Sequence, residues 1–148
     1  MESFKIDHFE VGGEKSFPKF KSLNPDECSV VAQKWRKAFS CRPETTDVEL
    51  MKIISLTSQP VAECSSEDAD FDLALLLAKL KIIPREAVYL NWHRFDKVDE
   101  MLFRDLCENL DDIWYPASDD LDIFDSSFTW IISIAHYGGI AHWRDSTH

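Results

Sequence analysis

The sequence predicts an α+β fold, with N-terminal helices followed by a small, mainly antiparallel sheet with a C-terminal β-hairpin and the helices packed on one face. Three observations carry this. Two N-terminal segments open with capping-box patterns ahead of helical apolar spacing. Ala87 to Trp92 alternates apolar and polar residues as a strand does. Near the C-terminus, two β-rich runs flank Tyr137-Gly138-Gly139. At 148 residues, one domain spanning 1–148 is expected.

Taken in order, Phe4 to Val11 alternates charged and apolar residues and is predicted as a possible first strand, with a basic loop from Gly12 to Leu23 after it. Asn24 then caps a helix, with Pro25 at its first position and Glu27 three residues on. Cys28, Val31, Trp35, Ala38 and Phe39 form its apolar face, and Pro43 ends it. Thr46 and Glu49 open a second helix, from Asp47 to about Ser58, with Leu50, Ile53 and Ile54 inward. A third is expected from Ser66, carrying Glu67, Asp68 and Asp70 in its first turn. It runs through Leu73, Leu76, Leu77 and Leu80 to Pro84, and its apolar middle suggests a central place in the core.

After the strand at Ala87 to Trp92, a fourth helix is expected, with Asp96 as cap and Val98, Met101, Leu102, Leu106 and Leu110 on one face. The segment Asp112 to Asp125 contains Pro116, a turn at Asp119 and Asp120, and a short strand at Leu121 to Phe124. Phe128 to His136 and Ile140 to Trp143 form the hairpin, whose glycine pair supplies positive φ, and the tail from Arg144 to His148 is expected to fray.

The net charge of -11 is concentrated in one stretch. From Phe95 to Asp125 there are eleven acids against Lys97 and Arg104, whereas the other 117 residues hold 16 acids and 14 bases. Such a field disfavours nucleic acid and steers a basic partner; it also serves as a solvated face that keeps a small protein soluble. The apolar runs are too short for a spanning helix and no signal-peptide core is visible, so a cytoplasmic protein is expected, with no membrane partner. Four dispersed cysteines without CxxC form no zinc or redox pattern and suit a reduced compartment. No P-loop, GxGxxG or GxSxG is present.

The remaining candidates each carry a functional and a structural reading. His136 and His142 flank the hairpin turn. With Asp119, Asp120 or Asp122 they would make a metal or acid–base site, or else they are ordinary hairpin residues. His93 stands at a strand end, where functional residues are common but where the chain also simply leaves the sheet. Cys107 lies among carboxylates that disfavour its thiolate, and Cys28 lies on a buried stripe. Trp114, Tyr115, Phe124 and Phe128 interleave with aspartates, as in an interface where rings anchor and charges steer; alternatively Trp114 and Phe124 are core and the aspartates solvate the loop.

With these features the chain resembles the immunity proteins of bacterial toxin systems, of the contact-dependent growth inhibition and polymorphic toxin type. The resemblance is one of type, covering the character of the whole chain. Tyr89 to Trp143 carries it best, in IWYPASDDLDIFD and WIISIAHYGGIAHW. It implies a non-enzymatic inhibitor without cofactor or metal, binding a cognate toxin domain, often a basic nuclease. Physically, an acidic face can imitate the phosphates such a toxin binds and associate quickly. The expected face is Asp105, Glu108, Asp111, Asp112, Asp119, Asp120 and Asp122, with Trp114 and Tyr115 as anchors. The alternatives are a small metal-dependent hydrolase using His136, His142 and nearby Asp, and a constitutive assembly subunit.

Overall fold

The computed structural model describes residues 1–13, 15–92 and 94–146. Its elements are α1 (Ser3–Gly12), β1 (Phe20–Ser22), α2 (Pro25–Ala38), α3 (Asp47–Thr57), β2 (Gln59–Ser65), α4 (Leu73–Lys79), β3 (Ala87–Asn91), β4 (Val98–Leu102), α5 (Phe103–Glu108), α6 (Leu110–Ile113), β5 (Leu121–Phe124), β6 (Trp130–Ile134) and β7 (Gly139–Arg144). The strands form one seven-stranded sheet in the order β1-β4-β3-β5-β6-β7-β2, with all neighbours antiparallel. The α+β class, the antiparallel sheet and the C-terminal hairpin are as expected.

The helices are not confined to one face. Val88, Leu90, Ile123 and Ile132 point to one side, where they meet Leu73 and Leu77 of α4, Leu106 of α5 and Ile113 of α6. Phe124 and Ile131 point to the other, where they meet Val31 and Trp35 of α2 and Leu50 and Ile54 of α3. The central strands are buried on both sides: every residue of β5 and all but Ser133 of β6 are buried, Asp122 included, so burial does not alternate along them. Trp35 is fully buried, edge-on to Phe124, Phe128 and Trp143 with ring centroids 5.1–5.7 Å away.

Local signals that satisfy backbone groups translate directly into structure. The Asn24 side chain accepts from the Glu27 N–H at 2.8 Å, and Glu27 accepts from the Asn24 N–H at 3.1 Å. Thr46 and Glu49 repeat the exchange at 3.1 and 3.0 Å, and α3 ends at Thr57. In the β6–β7 turn Gly138 takes φ +91°, and an added Cβ would lie 2.4 Å from the Ser65 hydroxyl.

Other segments depart from expectation. Residues 4–11 belong to helix α1, not a strand, and the only residue α1 buries completely is Lys5. Its ammonium lies 2.6 Å from Asp119 and 4.1 Å from the centroid of the Trp92 ring. A helix whose most buried side chain is charged leaves no apolar stripe to read. The third helix begins at Leu73 rather than Ser66: Asp72 caps it by accepting the Leu75 N–H at 3.0 Å, and Glu67, Asp68 and Asp70 precede it. Leu75 is half exposed, so α4 covers the sheet and does not run through the core.

Residues 98–102 of the expected fourth helix form β4, paired in full register with β3 from Ala87↔Leu102 to Asn91↔Val98. Only α5 and the short α6 are helical there, because pairing with β3 and β1 outweighs the local helical spacing. The edge strands β1 and β2 occupy segments read as loop or left unassigned. In β2, Pro60 faces Ala141 and Ser65 faces Gly139, so four residues bulge opposite one, with Glu63 at φ 55°.

Replacing Lys5 with Ala leaves the buried Asp119 carboxylate without its cation and is expected to cost about 3–5 kcal/mol in urea unfolding. Lys5→Met combined with Asp119→Asn is expected to recover part of that loss.

Candidate functional site

The acidic segment does not form one surface. Four of its eleven carboxylates are buried, each held by donors from elsewhere in the fold. Asp99 accepts from the Ser22 hydroxyl at 2.6 Å and the Trp92 indole at 2.8 Å, and pairs with the Met1 amine. Asp119 accepts from Lys5 and, at 2.8 Å, from the Tyr115 N–H. Asp122 accepts from Asn91 at 3.1 Å and Ser133 at 2.7 Å. Asp125 accepts from the Trp130 indole at 3.0 Å and the Arg85 N–H at 2.9 Å.

Asp119 and Asp122 therefore leave the expected binding face, and so does Trp114. Trp114 is 3% exposed, and its indole N–H donates to the Asp119 carbonyl at 2.9 Å. A buried side chain whose polar atom is already engaged cannot anchor a partner. Tyr115 is half-buried, edge-on to Phe4 at 5.7 Å, and burial raises its phenol pKa, with Asp112 and Asp119 adding to the rise. Phe124 is core and Phe128 half-buried.

Asp105, Glu108, Asp111 and Asp112 remain accessible on α5 and α6. There the fold adds residues that sequence reasoning placed elsewhere. The turn before α4 and the side of α5 enclose an open groove lined by Asp70, Phe71, Asp72, Phe103, Arg104 and Glu108, with Cys107 in its wall. Phe71 and Phe103 are half-buried in it, and Arg104 is its only base among the described residues. The charge of Asp70 and Asp72 is visible in the sequence, but their proximity to Glu108 is set by how α4 and α5 share one sheet face. Burial pushes the Cys107 thiol up to about 11, with the Asp72 carboxylate adding to the shift. Cys28 is buried and its pKa is likewise raised, first by burial.

The alternative reading that brings His136 and His142 together is not met. The last ladder pair before the turn is Ile134↔Ile140, and His142 stands opposite Ile132 and Gln59. His136 lies in the turn, its N–H donating to Asp120 at 2.8 Å and its Nδ1 3.0 Å from the same oxygen. Asp122 pairs across β5–β6 with Ser133, and alternation puts His142 on the opposite face. Among the described residues, no three His, Cys, Asp or Glu side chains come together as metal ligands. His93, the strand-end candidate, lies outside the described residues.

A second concavity, of about 620 Å³, opens between α3, the β2 bulge and the β5–β7 end of the sheet. Val48, Met51, Ile54 and Ala141 contribute apolar walls on the α3 side, Asp122 and Ser133 line it, and Lys52, Arg94 and Asp120 contribute charge. The sequence carries no signal for it, because it depends on a multi-residue bulge and on strand order.

Among the described residues, no helix is long and apolar enough to cross a membrane. Compared with protein-family models, curated proteins and solved structures, the chain matches none.

With a pKa of about 11, the Cys107 thiol is roughly 0.1% ionised at pH 8. Its alkylation by iodoacetamide, followed residue by residue by mass spectrometry, is expected to be slow at pH 8 and to accelerate as the pH rises through about 11.

Proposed function

We propose that this chain is a non-catalytic cytoplasmic inhibitor of the toxin-immunity type, binding a basic toxin domain through the acidic groove between the α4 turn and α5. The observation that carries the reading is the composition of that groove: Asp70, Asp72 and Glu108 surround the partly exposed rings of Phe71 and Phe103, with Arg104 as the only base among the described residues. Asp105, Asp111 and Asp112 extend the charge along α5 and α6.

The arrangement suits recognition of a cationic surface. Half-buried rings present apolar area that a partner can cover without reorganisation, and flanking carboxylates pair with Lys or Arg and accelerate encounter. Asp120, beside His136 at the hairpin turn, is apart from this groove and is not part of the proposed face. Binding of this kind neutralises a nuclease by occupying the basic cleft its substrate phosphates would use.

The test is parallel affinity capture at low and moderate salt with the wild-type chain and a Glu108→Lys, Asp111→Lys, Asp112→Lys variant. The expected result is one basic protein retained by the wild type at low salt and lost with the variant. Its expression alone should arrest growth, and co-expression of this chain should restore it. The triple reversal is expected to slow association at least about tenfold at low salt and to flatten its salt dependence, read by surface plasmon resonance. Glu44→Lys, at an exposed position away from the groove, should leave both unchanged. A captured partner with identical on-rates for wild type and triple variant would overturn the proposed face.

A further inference from the structure

We infer that the cleft beneath α3, on the other side of the sheet, is a binding site for a small amphipathic anion, with an apolar body and an acidic head group engaged by Arg94 and Lys52. Its volume of about 620 Å³ falls within the range of small-molecule sites, about 300–1,000 Å³. Its walls are mainly apolar, and Val48 and Tyr137 at its margin are 54% and 70% exposed, leaving apolar surface uncovered.

The charge inside the cleft is unequally engaged. Asp122 is held by Asn91 and Ser133, and Asp120 by His136. Their charges still balance those of Arg94 and Lys52, but Arg94 and Lys52 have no hydrogen bond or ion pair among the described residues, so the charge-assisted donors left for a ligand are those of the two cations. A guanidinium is suited to a carboxylate or similar oxyanion, which it can meet with two parallel hydrogen bonds.

The position of Arg94 is built into the fold. Arg94 and Phe95 both take left-handed backbone, at φ 67° and 61°, which side chains of this size rarely adopt. Asn91 holds the turn there by accepting the Phe95 N–H at 2.9 Å while donating to Asp122. Phe95 is buried beside Phe124, with ring centroids 6.4 Å apart. Strained residues persist where surrounding contacts over-determine them, and they cluster at ligand clamps. The opposite wall is set by the β2 bulge, a second irregularity at the same cleft.

The test uses octanoate and octan-1-ol, which share an apolar body and differ in head charge, titrated at low salt into the intact protein. Methyl NMR of Val48, Met51 and Ala141 reports occupancy. Octanoate is expected to shift these methyls saturably, with a Kd at least about tenfold below that of octan-1-ol. Arg94→Gln with Lys52→Gln should bring the two Kd values within about twofold. Ser55→Trp, on the exposed wall of α3, should weaken both ligands at least about tenfold by filling the cleft. The absence of saturable shifts, equal Kd values in the wild type, or a preference that survives loss of both cations would each overturn the site.

Discussion

Every carboxylate the sheet buries has to be met by donors, and this constraint organises the molecule. Both faces of the central strands are covered, so an aspartate within or beside them has no water to turn to. Asp99, Asp119, Asp122 and Asp125 are each held by groups distant in sequence: the Met1 amine and Ser22, Lys5, Asn91 and Ser133, and Arg85. These contacts fasten α1 and β1 to the β3–β4 side of the sheet, lock β5 between its neighbours, and fix the loop after β5. Polar groups therefore specify the same architecture that apolar packing stabilises.

The docking of α1 depends on this pairing of buried charge. Its apolar residues Ile6 and Phe9 are only half-buried, and its most buried side chain is the Lys5 ammonium, set against Asp119 and the faces of Trp92 and Tyr115. A cation between rings and a carboxylate is attracted by both, so a helix with little apolar stripe is held in place. Helices on the other face are held in the opposite way. α2 and α3 begin with complete capping boxes and bury Trp35, Leu50 and Ile54 in an aromatic-rich core.

Internal use of four carboxylates also redistributes the surface. The acids left outside on α5 and α6 join Asp70 and Asp72 around two half-buried phenylalanines, giving one acidic groove. On the α3 side two acids and two bases line the cleft: Asp120 and Asp122 are turned to protein donors, and Arg94 and Lys52 find no partner among the described residues. The two faces of one sheet thus differ in chemistry, an acidic groove on one and a cleft of mixed charge on the other.

Features determined by the sequence alone are those whose physics is local. The caps of α2 and α3, the strand at Ala87, the short strand at Leu121 and the final hairpin each rest on neighbouring residues that satisfy or turn one another's backbone. Tertiary structure decided the rest. β4 was paired out of a helical pattern, α1 was folded around a buried lysine, and the packing of α4 and α5 on one sheet face brought Asp70 and Asp72 to Glu108. It also chose which aspartates went inside. Eleven acids in one stretch are equivalent in the sequence, and it is the three-dimensional positions of donors such as Lys5, Ser22, Asn91, Trp92, Trp130 and Ser133 that separate buried hydrogen-bond acceptors from surface charge. The reason is that burial of a charge depends on long-range donors, which the order of residues along a chain does not display.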